Sequence, residues 1–297
     1  MTDFRIEHDS LGEIKVDENA LYGANSWRAK DNFNITGYSM DDKFIDAILE
    51  VKKACAIENG KIGLLSDKKT EAIIKACENL LDGKKRDSFI VDPIQGGAGT
   101  SFNMNANEVI ANMAEQNLGG HLGEYKLIHP NDHVNKGQST NDVIPTSGKI
   151  ALIRYFEQLI DEANKLIDSL NKKAEEFTDV YKMGRTQLQD AIPMSLGQEF
   201  AAYSKVLSRD VNRFKKAIEV LSFVNLGGTA IGTGLNADKR YVEEVVEVLA
   251  EVTGLDLKQN DDLIDGTQNL DSILFALSVL KTFAASLSKI SNDLRLM

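Results

Sequence analysis

Apolar and polar positions alternate along much of this chain with the period of a helix. From about Asp142 to Phe177, the residues Ile153, Phe156, Ile160, Ala163, Ile167, Leu170, Ala174 and Phe177 recur at alternating steps of three and four. That is a seam with a 3.5-residue period. A second seam comprises Leu196, Phe200, Tyr203, Leu207, Val211, Phe214, Ile218 and Leu221. A third comprises Leu270, Ile273, Leu277, Leu280, Ala284 and Leu287, and a shorter one spans Tyr241 to Val252. Helices of roughly 25 to 30 residues run about 37 to 45 Å, longer than a compact small domain needs, so bundling is expected. Leu152, Leu159 and Leu166 flank the first seam; extra apolar faces favour packing between copies of the chain as well as within one. The opening differs: FRIEHDSLGEIKV reads as short strand-like pieces and turns.

Gly and Pro cluster in four places: DPIQGGAGTS at 92–101, HPNDHVNKGQSTND at 129–142, MGRTQLQDAIP at 183–193 and GGTAIGTGLN at 227–236. A rigid helical frame presents its chemistry on such loops. In the first, small residues lead into Thr100 and Ser101, and Asn105 and Glu108 are spaced like a capping box. Backbone N–H groups at a helix start favour an anion, but the Walker lysine is missing and no strand–GxGxxG–helix unit surrounds the glycines. An ordinary glycine turn is the competing reading. The second loop ends in Ser139, Thr140, Asn141 and Asp142 at another helix start, where capping is the plain alternative. His129 and His133 are four apart, yet Pro130 points to a loop and no third ligand accompanies them, so no metal site is expected. The third loop carries Arg185, Thr186, Gln187, Gln189 and Asp190, with Asp190 as a buried partner of Arg185 the simpler reading. Three polar loops that each open a long helix and offer neutral donors make a trap for carboxylate oxygens, and for negative charge formed during a reaction.

Composition narrows the picture. At roughly 150 residues per domain, 297 residues point to about two domains, and 42% apolar with 27% charged residues is a globular composition. Cys55 and Cys77 are too few for a disulfide framework and lack zinc spacing, so they are expected as buried free thiols. The formal net charge of −11 disfavours nucleic acid; an anionic ligand must then be held by local donors against the overall field. The longest apolar stretch, near Ile273 to Leu280, falls well short of the roughly 18 residues of a spanning helix, and MTDFRIEHDS is too charged for a secretory signal. No membrane segment and a soluble, cytoplasmic protein are expected.

The residues GGAGTSFNMNANEVIAN at 96–112, HPNDHVNKGQSTND at 129–142, KMGRTQLQDAIPMSLGQEF at 182–200 and GGTAIGTGLN at 227–236 resemble the fumarase/aspartase superfamily and, within it, the aspartate ammonia-lyases. Class II fumarases typically read GSGT and GRTH where this chain has GAGT and GRTQ. The resemblance implies a mainly α fold: a small mixed N-terminal lyase domain over 1–139 and a central long-helix bundle over 140–297, apparently cut short, with the C-terminal domain absent. It implies homotetramers whose active sites draw loops from three subunits. The implied reaction is reversible anti-elimination of ammonia from L-aspartate to give fumarate, through an aci-carboxylate intermediate, with no organic cofactor. By position, Thr100, Ser139, Thr140, Asn141, Thr186 and Gln187 correspond to the substrate-holding residues. His129, Asn131 and Asp132 resemble a secondary dicarboxylate site, and Thr229 with its neighbouring glycines shapes the site. The family's general base is a serine on a loop reading approximately GSSIMPGKVNP; that motif does not occur in these 297 residues, so no base is assigned and the chain alone is expected to be inactive. The alternatives are fumarate hydration to L-malate on the same site, and a non-catalytic helical assembly protein that keeps the scaffold.

Overall fold

The computed structural model of the chain describes residues 4–9 and 11–297; residues 1–3 and Ser10, the last within the strand-like opening, lie outside the described residues. In chain order the elements are β1 (Phe4–Asp9), β2 (Gly12–Asp17), α1 (Ala24–Asn32), α2 (Asp42–Lys61), α3 (Asp67–Leu81), α4 (Thr100–Asn117), α5 (Thr140–Glu176), β3 (Tyr181–Thr186), β4 (Gln189–Ser195), α6 (Leu196–Leu221), β5 (Phe223–Val224), α7 (Lys239–Thr253), β6 (Lys258–Gln259), α8 (Leu263–Gln268) and α9 (Asp271–Leu296). The fold is mainly helical, with strands confined to two-stranded pairs. Two compact units divide it: residues 1–151 with 222–269, and residues 152–221 with 270–297.

In the first unit β1 and β2 form an antiparallel hairpin, and α2 packs against α3 and α7 while α4 packs against α1 and α3. Ile48, Leu49, Ile73, Leu80, Phe102, Ile110 and Tyr241 are fully buried there, as are both thiols, Cys55 and Cys77. Local chemistry explains where the helices start. Asp41 Oδ1 accepts from the N–H groups of Lys43 and Phe44 to cap α2, and Asp238 caps α7. The capping box expected at Asn105 and Glu108 does not form. Helix α4 begins earlier, at Thr100, behind Gly99 in the left-handed region (φ 92°). Asn105 instead bridges the N–H of Ile90 and the O of Ser88, and buried Glu108 caps a different helix, accepting from the N–H groups of Gly23, Asn25 and Ser26 at the start of α1. Spacing alone could not reveal that the carboxylate serves a helix more than 80 residues away.

The start of α5 carries Pro145 inside the helix. Proline has no N–H, so the carbonyl four residues back loses its partner. Asn225, fully buried, supplies a replacement: its Nδ2 donates to the O of Asn141 (3.1 Å) and to Thr267 Oγ1 (3.0 Å).

The second unit holds the rest of α5, the β3–β4 hairpin, α6 and α9. The first two seams lie where the sequence puts them: Ile153, Phe156, Ala163, Ile167 and Leu170 are buried on α5, and Tyr203, Leu207, Val211, Phe214 and Leu221 on α6. Phe214 meets Phe156 in a tilted contact at 5.6 Å and Phe283 edge to face at 5.0 Å (ring centroids). The third seam is rotated. Helix α9 buries Ser272, Ala276, Val279, Phe283 and Ile290, whereas Leu270 and Leu277 are exposed. Leu274, Phe275 and Leu277 stand among the outward polar residues of α9, so the apolar positions alone do not single out its packing face; on the face that meets α6, Tyr203 Oη lies 3.0 Å from Asp293 Oδ2 and 3.1 Å from Glu199 Oε1, its one hydrogen shared between the two carboxylates. The same composition makes α9 long and apolar enough to cross a membrane, contrary to the reading from uninterrupted apolar residues. In this structure it packs on α6. The segment 183–193, expected as a loop, is instead most of the β3–β4 hairpin.

Candidate active site

Two helix starts meet around one cavity of about 540 Å³ in the first unit. Thr100, Asn103 and Met104 from α4 line it, with Asn135, Gly137, Gln138, Ser139 and Thr140 at and before the start of α5, and Thr229, Ala230, Ile231, Thr233, Leu235 and Asn236 from the glycine-rich loop. The N-terminal ends of α4 and α5 thus present partial positive charge to the same space.

The hydrogen-bond roles of the hydroxyls differ. Ser139 Oγ accepts from the N–H of Asn141 (3.3 Å), and Asp142 Oδ1 accepts from the N–H of Ser139 (2.9 Å), a reciprocal cap. Thr140 Oγ1 accepts from Asn103 Nδ2 (3.3 Å). Both oxygens accept from the protein and, among the described residues, neither hydroxyl donates to a protein group, so each has a hydrogen to offer into the cavity. Thr100 is different: its Oγ1 donates to the O of Gly97, and it must rotate to donate to a ligand. Asn141 does not line the cavity; its Nδ2 donates to the O of Ala230, which does (2.7 Å).

Asp142 holds the loop that forms one wall. Fully buried, it accepts from the N–H groups of Gly227 (3.2 Å) and Thr229 (3.1 Å) through Oδ2. Thr229 sits at φ 57°, unusual for a β-branched residue, and its N–H bond to Asp142 helps hold it there. Burial pushes the Asp142 carboxyl up to about 6 despite these donors.

Beneath the cavity lies a residue that the sequence reading missed. Lys52 of α2 is 0% exposed, and its Nζ donates to Asn135 Oδ1 (2.8 Å) and Gln138 Oε1 (2.9 Å). Burial pushes its ammonium down to about 8, against the pull of Cys55 and Asp142. The available signal was a lysine within the helical run ILEVKKACAI, indistinguishable in sequence from its neighbour Lys53, which pairs with Glu78 at the surface.

The remaining expected residues lie elsewhere. Thr186 and Gln187 belong to the second unit, exposed at the β3–β4 turn, where Gln187 (φ 48°) and Leu188 (φ 63°) are consecutive left-handed residues. Hairpin turns of this kind favour Asn-Gly, and non-glycine strain of this kind clusters at functional positions. Arg185 does approach Asp190 (3.6 Å), but both are exposed rather than buried. His129 caps the turn Pro130–Val134 by accepting from the N–H of Asp132 (3.2 Å), and Asn131 and Asp132 are exposed beside it. His133 Nδ1 accepts from the N–H of His129 (2.8 Å), and its ring faces Lys69.

The family whose model matches this chain is described as lyase, and the match runs over residues 12–297. The chain belongs to this lyase family, of the fumarase/aspartase superfamily. Among curated relatives, the aspartate ammonia-lyase of Bacillus subtilis is 48% identical over 99% of this chain and 62% of its own length. That of Escherichia coli K12 is 47% identical over 99% and 62%. Among solved structures, the fumarate lyase:delta crystallin of Brucella melitensis matches with a TM-score of 0.97 at 43% identity, covering 99% of this chain and 64% of that one. The class II fumarase of Schistosoma mansoni matches with a TM-score of 0.94 at 34% identity, covering 98% and 64%. The chain therefore spans about 62% of the length of the curated lyases it matches.

Proposed function

We propose that this lyase acts on L-aspartate, eliminating ammonia to give fumarate, and that these residues supply the part of the site that holds the substrate carboxylates. The observation that carries the reading is the convergence of the α4 and α5 starts, with the Ser139 and Thr140 hydroxyl hydrogens unclaimed, on one cavity. The curated relatives named aspartate ammonia-lyase, at 46–49% identity, support aspartate over malate.

In this reading, anti-elimination begins with loss of a Cβ proton and places a second negative charge on one carboxylate. Neutral donors at helix starts stabilise that charge, and removing one such donor commonly costs about 3 to 4 kcal/mol. Ser139 and Thr140 hold carboxylate oxygens, Thr100 and Asn141 join them by turning from the O of Gly97 and the O of Ala230, Thr186 and Gln187 complete the set in an assembled homotetramer, and His129, Asn131 and Asp132 form a secondary dicarboxylate site. The base belongs to a GSS loop absent from these 297 residues, so the chain alone does not turn over. A cytoplasmic location fits this metabolic role.

The test joins this chain to the part of the Bacillus subtilis relative that it does not span, supplies aspartate or malate, and follows fumarate by ultraviolet absorbance. Turnover of aspartate is expected, with Thr140→Val and Thr186→Val lowering it about a hundredfold or more while leaving the melting temperature nearly unchanged. Turnover of malate without aspartate would point to a hydratase, and robust turnover by the 297-residue chain alone would place a base within it.

A further inference from the structure

The buried polar groups under the cavity form a directed chain of hydrogen bonds. An ammonium can only donate, so Lys52 requires both of its partners, Asn135 Oδ1 and Gln138 Oε1, to be oxygens. That fixes both amides. Gln138 Nε2 then faces the carbonyls of Val134 (2.9 Å) and Lys136 (3.2 Å), as it must. Asn135 Oδ1 also takes a hydrogen from Asn103 Nδ2 (3.3 Å), and the same Nδ2 reaches Thr140 Oγ1 (3.3 Å). Each link is forced by the one before it. Lys52 dictates that Asn135 presents oxygen, which dictates that Asn103 presents nitrogen and leaves its own buried Oδ1 without a partner; the Thr140 oxygen is then an acceptor, and its hydrogen remains for a ligand.

We propose that Lys52 is a positioning residue for the anion-holding site, acting through Asn135 and Asn103 to hold Thr140 as a donor and placing one buried positive charge beneath the ligand. This inference rests on the carboxylate-binding reading above. It also explains how a chain of net charge −11 holds an anion with neutral hydroxyls: the cation is kept one layer back, where solvent does not screen it.

The groups facing Lys52 leave it alone in titrating between pH 6.5 and 9.5. Cys55 on α2 and Cys77 on α3 are pushed by burial up to about 12, and Tyr241 on α7 is raised well above its usual value. Asp142 at the start of α5 is ionised above about 6, and His133, on the turn before α5, is lowered and stays neutral. Loss of the Lys52 proton, near 8 in the free protein, removes the charge and releases the amides. Anion binding and protonation of Lys52 therefore favour each other, and each one-unit rise in its pKa on binding corresponds to a tenfold change in affinity across the titration.

The test is calorimetric titration of the chain with succinate, a dicarboxylate that cannot react, between pH 6.5 and 9.5. Wild-type affinity is expected to fall about tenfold as pH rises through 8. Lys52→Met is expected to bind about tenfold more weakly at pH 7 with a flat profile, and Lys52→Arg to keep the affinity with the fall displaced beyond the range. Asn103→Leu leaves the cation in place and is expected to weaken binding while retaining the fall near pH 8; it serves if Lys52→Met does not fold. Succinate binding that is independent of pH in the wild type, or unchanged in Lys52→Met, overturns this inference and leaves the carboxylate site standing. Failure of the wild type to bind succinate at any pH overturns both.

Discussion

At the scale of single residues, the cavity is built from donors and acceptors whose roles are assigned by neighbours. Asp142 shows what this costs. Its folded carboxyl sits at about 6, above the usual 3.8, because burial outweighs three backbone donors. Between those values the folded state holds a proton that the unfolded state has released, so stability rises as pH falls from above 6 toward 4. A shift of about two units corresponds to about 3 kcal/mol. Asp142→Asn removes this titration and replaces one of two accepting oxygens with an NH2, so that either the N–H of Ser139 or the shared pair from Gly227 and Thr229 loses its acceptor. The variant is expected to melt lower than the wild type, with a gap that widens from pH 7 to pH 4.5; melting curves showing a gap independent of pH would refute the assignment. Asp92 has the opposite sign. Burial raises it, but donors from Ile94, Thr36 and Gly37 together hold it down at about 2, so its contribution is present above pH 4 and fades as pH falls toward 2.

At the scale of elements, the start of α5 rests on a pairing between a defect and its repair. Pro145 deprives the Asn141 carbonyl of a partner, and Asn225 replaces it. Asn225→Leu is expected to cost about 1 to 3 kcal/mol by leaving that carbonyl and Thr146 short of partners. In the double variant with Pro145→Ala, a restored N–H re-forms the helical bond and recovers part of the loss. A double-mutant cycle in urea checks this, and strict additivity would show that the two residues are not coupled. Seams on α5 and α6 were legible because their apolar positions form one stripe; on α9, Leu274, Phe275 and Leu277 lie outside the buried face, and the contact between Tyr203 and Asp293, 90 residues apart, is one that no periodicity encodes. The chemistry of the loops was legible because Gly and Pro marked them. Lys52, Asn103 and Asn135 were not, since a polar residue inside a helical run reads as a solvated face until its burial is seen.

At the scale of the whole molecule, the return of 222–269 to the first unit brings Thr229 and Asn225 to the start of α5, and it leaves no mark in the hydrophobic pattern. Helix α9 leaves several large apolar side chains exposed. Leu274, Phe275 and Leu277 on α9 are 64%, 41% and 53% exposed, and exposed apolar side chains close together on one helix are a candidate interface or aggregation hazard. The chain is expected to self-associate, and Leu274→Gln with Leu277→Gln to shift it toward the monomer in light scattering without lowering its melting temperature; an unchanged mass would locate association elsewhere. The two thiols carry a different consequence. Cys55 and Cys77 have no exposed surface and are pushed up to about 12 by burial, so a disulfide reagent in neutral buffer meets a thiolate only when the layer of α2, α3 and α7 comes apart. The molecule carries its own clock for opening: the rate at which these sulfurs react, once reagent is in excess, is the rate at which its core unlocks.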